Sequence, residues 1–121
     1  MKLGLEKMTN YTSKLELYNK LIENHPDIER KGKTMPYTSV NGHMFSFLDK
    51  EGNMGLRLSK IDRDDFIAKF DSELMVQYGS IMKEYVVIPA NLLEDTKTLQ
   101  KYLQTSFDYV SSLKPKPTKK K

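Results

Sequence analysis

Residue types that commonly act in catalysis and metal binding are sparse in this sequence. It has two histidines, His25 and His43, and no cysteine. The lack of cysteine excludes a disulfide framework, an iron–sulfur cluster, a thiol nucleophile and a cysteine zinc site. The acids Asp62, Asp64 and Asp65 lack the glycine and distal glutamate of a calcium loop. We interpret these acids as the start of a helix, and we expect neither a metal nor a cofactor.

A catalytic site would have to combine His43 with Tyr37 or Asp49. Their spacing does not assemble a nucleophile, a base and an orienting group. The sequence also contains no Gly-x-Ser-x-Gly elbow and no glycine-rich phosphate loop. An enzyme with an unfamiliar site is therefore the last of three hypotheses, and we expect a protein that is not an enzyme.

Basic side chains are more numerous, with 20 Lys and Arg against 16 Asp and Glu. Five of the lysines fall in residues 114–121, which leaves 15 basic and 16 acidic side chains in residues 1–113. Two prolines and like charges predict a disordered tail, and the pattern favours a solubilising end over an electrostatic arm for nucleic acid. The candidate nucleic-acid contacts are Arg30, Lys31, Lys33, Arg57, Lys60, Arg63, Lys114, Lys116, Lys119, Lys120 and Lys121.

A hairpin is the clearest local signal. Asn41 and Gly42 supply the two positive φ angles of a type I′ turn, and residues 35–40 and 43–48 flank them. We expect Pro36 to place the first strand at a sheet edge, because proline donates no N–H. The turn predicts the pairs Val40 with His43, Thr38 with Phe45 and Pro36 with Phe47.

The remaining elements follow from hydrophobic periodicity and turn residues. A turn at Gly52 leads to a third strand, in which Met54, Leu56 and Leu58 alternate with smaller or polar residues. Residues 71–81 are ambiguous. The other predicted elements are a helix over 11–24 with a capping box at Ser13 and Glu16, a helix over 62–70 capped by Asp62, a strand over 82–88, and a helix over 95–113 capped by Asn91 or Asp95.

This order, helix, three strands, helix, strand, helix, predicts an α+β domain with a mainly antiparallel sheet of four to five strands. We expect one domain over residues 1–113 and a tail over 114–121. No apolar run approaches the roughly 20 residues that span a bilayer, and no signal peptide follows Met1. We therefore expect a cytoplasmic protein without a membrane segment.

Three segments, over residues 29–48, 85–95 and 109–117, resemble the TfoX N-terminal domain family in their layout, and the third resembles the ending of its small stand-alone members. The first reads Glu-Arg-Lys-Gly-Lys-Thr-Met-Pro-Tyr before the hairpin, and the second contains Tyr-Val-Val-Ile-Pro. The resemblance extends over roughly residues 12–117 and implies an α+β domain with an antiparallel sheet. This family is named for bacterial regulators of competence for DNA uptake that carry a second, C-terminal domain. Relatives often have Met-Phe-Gly-Gly after the basic residue, whereas this sequence reads Gly32-Lys33-Thr34-Met35-Pro36-Tyr37.

The leading hypothesis is a small bacterial interaction or regulatory module of this type. It would bind a protein partner or a second copy of itself through an exposed strand edge or an apolar face. The second hypothesis is nucleic-acid binding through the basic residues named above.

Overall fold

The computed structural model describes residues 3–115, with side chains from Tyr11 onward. The fold is α+β, as predicted. Within these residues the helices are α1 (Leu3–Glu23), α2 (Lys60–Phe70), α3 (Ala90–Glu94) and α4 (Thr96–Ser111). The strands are β1 (Tyr37–Val40), β2 (His43–Leu48), β3 (Met54–Arg57), β4 (Leu74–Gln77) and β5 (Ser80–Ile88).

All five strands form one antiparallel sheet in the order β1-β2-β3-β5-β4. Met54 pairs with Ile88 and Leu56 with Val86, and all four belong to the buried cluster that the helices cover. Successive side chains of a strand point to opposite faces. The residues between them, Gly55 and Val87, therefore lie on the other side of the sheet, which we call the second face.

Several helix boundaries differ from the predictions. Helix α1 begins at Leu3, so Ser13 lies inside it and does not cap it. The cap of α2 is Ser59, whose hydroxyl accepts the N–H of Asp62, so Asp62 lies in the first turn. Of the two predicted caps of α4, Asp95 is the one that caps it, by accepting the N–H of Thr98. Hydrogen bonds from the side chain and the backbone of Thr98 lower the pKa of the Asp95 carboxyl.

The structure confirms the predicted turns and the edge position of β1. Asn41 and Gly42 have φ angles of 56° and 79°, and Val40 pairs with His43 across them. Gly52 has a φ of 89° in the turn between β2 and β3, a conformation that glycine adopts without a steric penalty. β1 lies at one end of the strand order, as Pro36 indicated.

The predicted register of the first hairpin is wrong beyond its turn. Ser39 pairs with Met44 and Thr38 with Ser46, so Phe45 is an extra residue in a β-bulge. The bulge lets both Phe45 and Ser46 face the helices. The ring centroid of Phe45 lies 5.8 Å from that of Phe107 on α4. In the predicted register Phe45 and Phe47 share a face, because one residue separates them. In the structure Phe47 lies on the second face instead.

Three buried hydroxyls join α1 to this hairpin. The Ser46 hydroxyl lies 2.7 Å from Tyr18 Oη and 2.6 Å from Thr38 Oγ1, and all three residues are buried. Burial raises the pKa of the Tyr18 phenol well above its ordinary value of 10.0, because the charged form would lose its hydration. The network therefore satisfies three polar groups inside an apolar core.

On the second face, Phe47 packs over Gly55. Phe47 is 1% exposed, and its ring centroid lies 5.8 Å from that of Tyr85. A Cβ added to Gly55 would lie 2.6 Å from Cε1 of Phe47. Glycine is therefore required here because the ring occupies the space of a side chain.

We expect Gly55→Ala to lower the free energy of unfolding by about 1–3 kcal/mol, the usual range for overpacking. Urea unfolding followed by circular dichroism measures this change. In Gly55→Ala with Phe47→Leu, the smaller side chain removes the clash, so the two losses should not add. Additive losses in the double variant would contradict the proposed contact.

Tyr18→Phe should lower stability at pH 7 by about 1–3 kcal/mol, because it leaves part of the hydroxyl network without a partner. The difference in the free energy of unfolding between this variant and wild type should decrease above pH 10. The folded wild-type protein keeps the Tyr18 proton while the unfolded chain releases it, so this tyrosine reduces wild-type stability by up to about 1.4 kcal/mol per pH unit there. Urea unfolding at pH 7, 10 and 11 measures both effects. A difference that stays constant with pH would contradict the argument.

Candidate functional site

The hairpin of β4 and β5 occupies the end of the sheet opposite β1. Tyr78 and Gly79 form its turn, with φ angles of 54° and 78°, and Gln77 pairs with Ser80 across them. These angles are those of a type I′ turn. Residues 71–81 could not be assigned from the sequence. Tyrosine at the first position of the turn indicates a hairpin less strongly than asparagine or aspartate does.

This hairpin exposes apolar side chains. Tyr78 is 95% exposed, Ile81 60% and Val76 53%, and Val76 pairs directly with Ile81. Among the described residues, Ile61 on α2 is the other large apolar side chain that is mostly exposed. Exposed apolar groups that cluster on one element mark interaction surfaces more often than scattered ones do. We call Val76, Tyr78 and Ile81 the hairpin patch.

A cavity of about 580 Å³ borders the hairpin patch. Val87 contributes to it from the second face, and β4 forms one wall. The opposite walls come from the loop before β1 and from the turn between β2 and β3. The lining residues outside residues 73–78 are Thr34, Met35, Asp49, Lys50, Glu51, Asn53 and Val87.

Asp49 fixes the hairpin beside the turn. It is 8% exposed, and its Oδ1 accepts the N–H groups of Glu51 and Asn53, each at 2.9 Å. Its Oδ2 accepts a hydrogen bond from Gln77 Nε2 at 3.1 Å. The same Nε2 donates to the carbonyl of Val76 at 2.9 Å. Both carboxylate oxygens of Asp49 are therefore engaged in positioning the cavity walls.

Acidic groups outnumber basic ones around the cavity. The lining contains three acidic residues, Asp49, Glu51 and Glu73, and one basic residue, Lys50. The apolar part of the lining consists of Met35, Leu74, Met75, Val76 and Val87. Among the side chains described, those of residues 11–115, no three His, Asp or Glu groups are placed to hold a metal ion. The lining therefore combines apolar side chains with an excess of acidic groups.

The catalytic candidates are not brought together. His43 begins β2, and its Nε2 donates to the carbonyl of Lys114 at 2.9 Å. Asp49 follows the other end of the six-residue strand β2, and Tyr37 pairs with Phe47 near that end. A strand of this length spans roughly 20 Å, so His43 cannot share a proton with either residue.

The other histidine and the aspartate cluster have local partners. His25 Nδ1 accepts the N–H of Asp27 at 3.0 Å, so its Nε2 donates to Gln104 Oε1 at 2.7 Å. Asp62 receives the Ser59 hydroxyl, and Asp64 pairs with Lys60. These contacts assign the side chains to helix ends and packing.

Three of the candidate nucleic-acid contacts lie at the end of β3 or after it and already have partners. Arg57 pairs with Glu84 at 2.6 Å, and Lys60 pairs with Asp64 at 3.0 Å. Arg63 donates to the carbonyl of Leu58 at 2.9 Å.

The other candidates precede β1 or belong to the tail. Lys31 donates to the Ser39 hydroxyl at 3.0 Å, and Arg30 reaches the carbonyl of Gly32 at 3.4 Å. Lys33 is exposed in the same loop, and β2 separates β1 from β3. Lys114 is described, whereas Lys116, Lys119, Lys120 and Lys121, and with them most of the tail predicted to be disordered, lie outside the described residues.

No family model, curated protein or solved structure matches this chain. The resemblance to the TfoX N-terminal domain family therefore stays a prediction that rests on residues 29–48, 85–95 and 109–117. In the described part of the chain, no helix has the length and apolar character needed to cross a bilayer.

Because acidic partners occupy Arg57 and Lys60, we expect the folded body to bind DNA weakly. A chain ending at Pro115 lacks four lysines, which leaves 16 basic and 16 acidic side chains. At physiological salt this chain should show no binding to labelled single- or double-stranded DNA by fluorescence anisotropy. The full chain serves as the comparison. Salt-dependent binding by the shorter chain would contradict this expectation and place phosphate contacts in the body.

Proposed function

We propose that this protein is a non-catalytic interaction module that binds a protein partner at the hairpin patch and the adjoining cavity. One observation carries the proposal: three of the large exposed apolar side chains lie on one hairpin, next to a cavity of about 580 Å³. A partner that covers Val76 and Ile81 removes apolar surface from water. Such burial stabilises a complex by about 25 cal/mol per Å² before the costs of association.

Tyr78 is suited to anchor such a complex. It projects from the turn, lines the cavity and is almost fully exposed. Tyrosine is enriched among the residues that dominate binding energy, since it combines a large apolar ring with a hydrogen-bonding hydroxyl. Asp49 and Gln77 hold the hairpin in place, so little ordering of the main chain is needed on binding.

The α+β layout and the resemblance of residues 29–48 and 85–95 support a regulatory role of the TfoX N-terminal type, in a bacterial cytoplasm. The proposed partner can be a second copy of the chain, because β4 is an edge strand that can pair with another strand. Nucleic-acid binding is the second candidate function. It is supported by the lysines of residues 114–121 and not by the paired cations of the body.

Selection of random peptides on the immobilised full chain tests the proposed surface while the partner is still unidentified. We expect selected peptides to lose at least tenfold in affinity for Tyr78→Ser and Val76→Ser, because both substitutions remove apolar contact area. Ile61→Ser is the matched control, since Ile61 is also exposed but lies on α2, outside the cavity lining. Peptides that bind the three variants equally, or a selection that yields no binders, would contradict the proposal.

A further inference from the structure

The cavity has a charge pattern that apolar contact alone does not explain. Three carboxylates and one ammonium group lie among its lining residues, while its apolar lining includes Met35, Met75 and Val87. A partner that enters this cavity must therefore supply both positive charge and apolar surface.

The three carboxylates of the lining come from two different segments of the chain. Asp49 and Glu51 belong to the turn after β2, whereas Glu73 immediately precedes β4 on the opposite wall. No metal-binding group of three acids or histidines occurs in the described residues. A chain that carries several cationic side chains matches this distribution better than a single ion does.

Strand β4 offers main-chain groups to such a chain. Gln77 and Ser80 flank the two-residue turn and form a hydrogen-bonded pair. Val76 precedes Gln77 and belongs to the adjacent non-hydrogen-bonded pair, so its N–H and C=O groups point away from β5. β4 is also the last strand in the sheet order. The outward carbonyl of Val76 accepts a hydrogen bond from the Gln77 side chain, which an incoming strand can displace.

The cavity lining includes two methionines. Met35 comes from the loop before β1, and Met75 is a buried residue of β4. Their unbranched, polarisable side chains adjust to differently shaped apolar groups. The aliphatic stems of lysine and arginine can pack on such surfaces while their charged ends reach the carboxylates.

We propose that the cavity binds an extended segment of a partner protein in which lysine or arginine residues alternate with apolar residues. The segment adds to β4 as a further strand, and its cationic side chains pair with Glu51 and Glu73 on the two walls. This inference rests on the proposed function and specifies the chemistry of the partner.

Three labelled eight-residue peptides test the inference by fluorescence anisotropy with the full chain. In each peptide, valine alternates with one second residue, which is lysine, glutamine or glutamate. We expect the lysine peptide to bind at least tenfold more tightly than the glutamine peptide and the glutamate peptide to bind most weakly. The preference for lysine should decrease as salt increases from 0.05 to about 0.5 M, because screening weakens exposed ion pairs.

Variants of the protein locate the contact. Glu73→Gln and Glu51→Gln should each reduce affinity for the lysine peptide several-fold and leave affinity for the glutamine peptide unchanged. Glu94→Gln is the matched control, because Glu94 is an exposed acid on α3 outside the cavity lining. Both cavity variants keep the size of the side chain, so folding should be unaffected, and circular dichroism verifies this.

The outcomes separate the two proposals. Equal affinity of the lysine and glutamine peptides, together with loss of binding in Tyr78→Ser, would overturn the basic segment and leave the interaction surface intact. A lysine preference that Glu94→Gln reduces as much as Glu73→Gln would also overturn it, since attraction would then come from overall charge. Binding of no peptide, by chain or variant, would overturn both the segment and the proposed surface.

Discussion

The hydroxyl network of Tyr18, Ser46 and Thr38 is the constraint on which the rest of the structure depends. Each hydroxyl is buried, and each would cost free energy if it lost its partner. The network is complete only when Ser46 faces α1 and pairs with Thr38. That requirement selects the bulge at Phe45 over the regular register, because in the regular register Ser46 would point away from the helix.

The consequences of this choice extend to the cavity. With Ser46 turned towards the helices, Phe47 turns to the second face and occupies the space above Gly55. β2 then ends so that Asp49 can organise the following turn and hold Gln77 of β4. The buried hydroxyl network and the cavity are therefore connected through β2, which carries Ser46 and leads directly into Asp49.

Much of the fold was predictable because its signals are local. Asn41 and Gly42 determined a turn, Pro36 indicated an edge, and the alternation of Met54, Leu56 and Leu58 indicated a strand that is indeed buried on one face. The bulge at Phe45 was not predictable, because an extra residue in a strand leaves no trace in composition or periodicity. It brings Ser46 to a hydrogen bond with Tyr18, 28 residues earlier in the chain, which no local pattern indicates.

The candidate site was the least predictable part for a related reason. β4 lies within residues 71–81, which show neither helical nor strand periodicity, and its turn uses Tyr78 at positive φ. The cavity itself joins three segments that are distant in sequence, and only the sheet order brings them together. The number of basic residues suggested nucleic-acid contacts, whereas the structure gives Arg57 and Lys60 acidic partners.

The amide of Gln77 has a further consequence for strand pairing at the edge of the sheet. An apolar edge strand with open main-chain groups is a template for uncontrolled stacking of sheets, and many proteins shield such edges. Here the shield is a side chain of the edge strand itself, held by the Val76 carbonyl on one side and by Asp49 on the other. A strand that pairs with Val76 must first displace this amide, so the edge favours a partner whose own contacts compensate for the lost hydrogen bond over indiscriminate stacking.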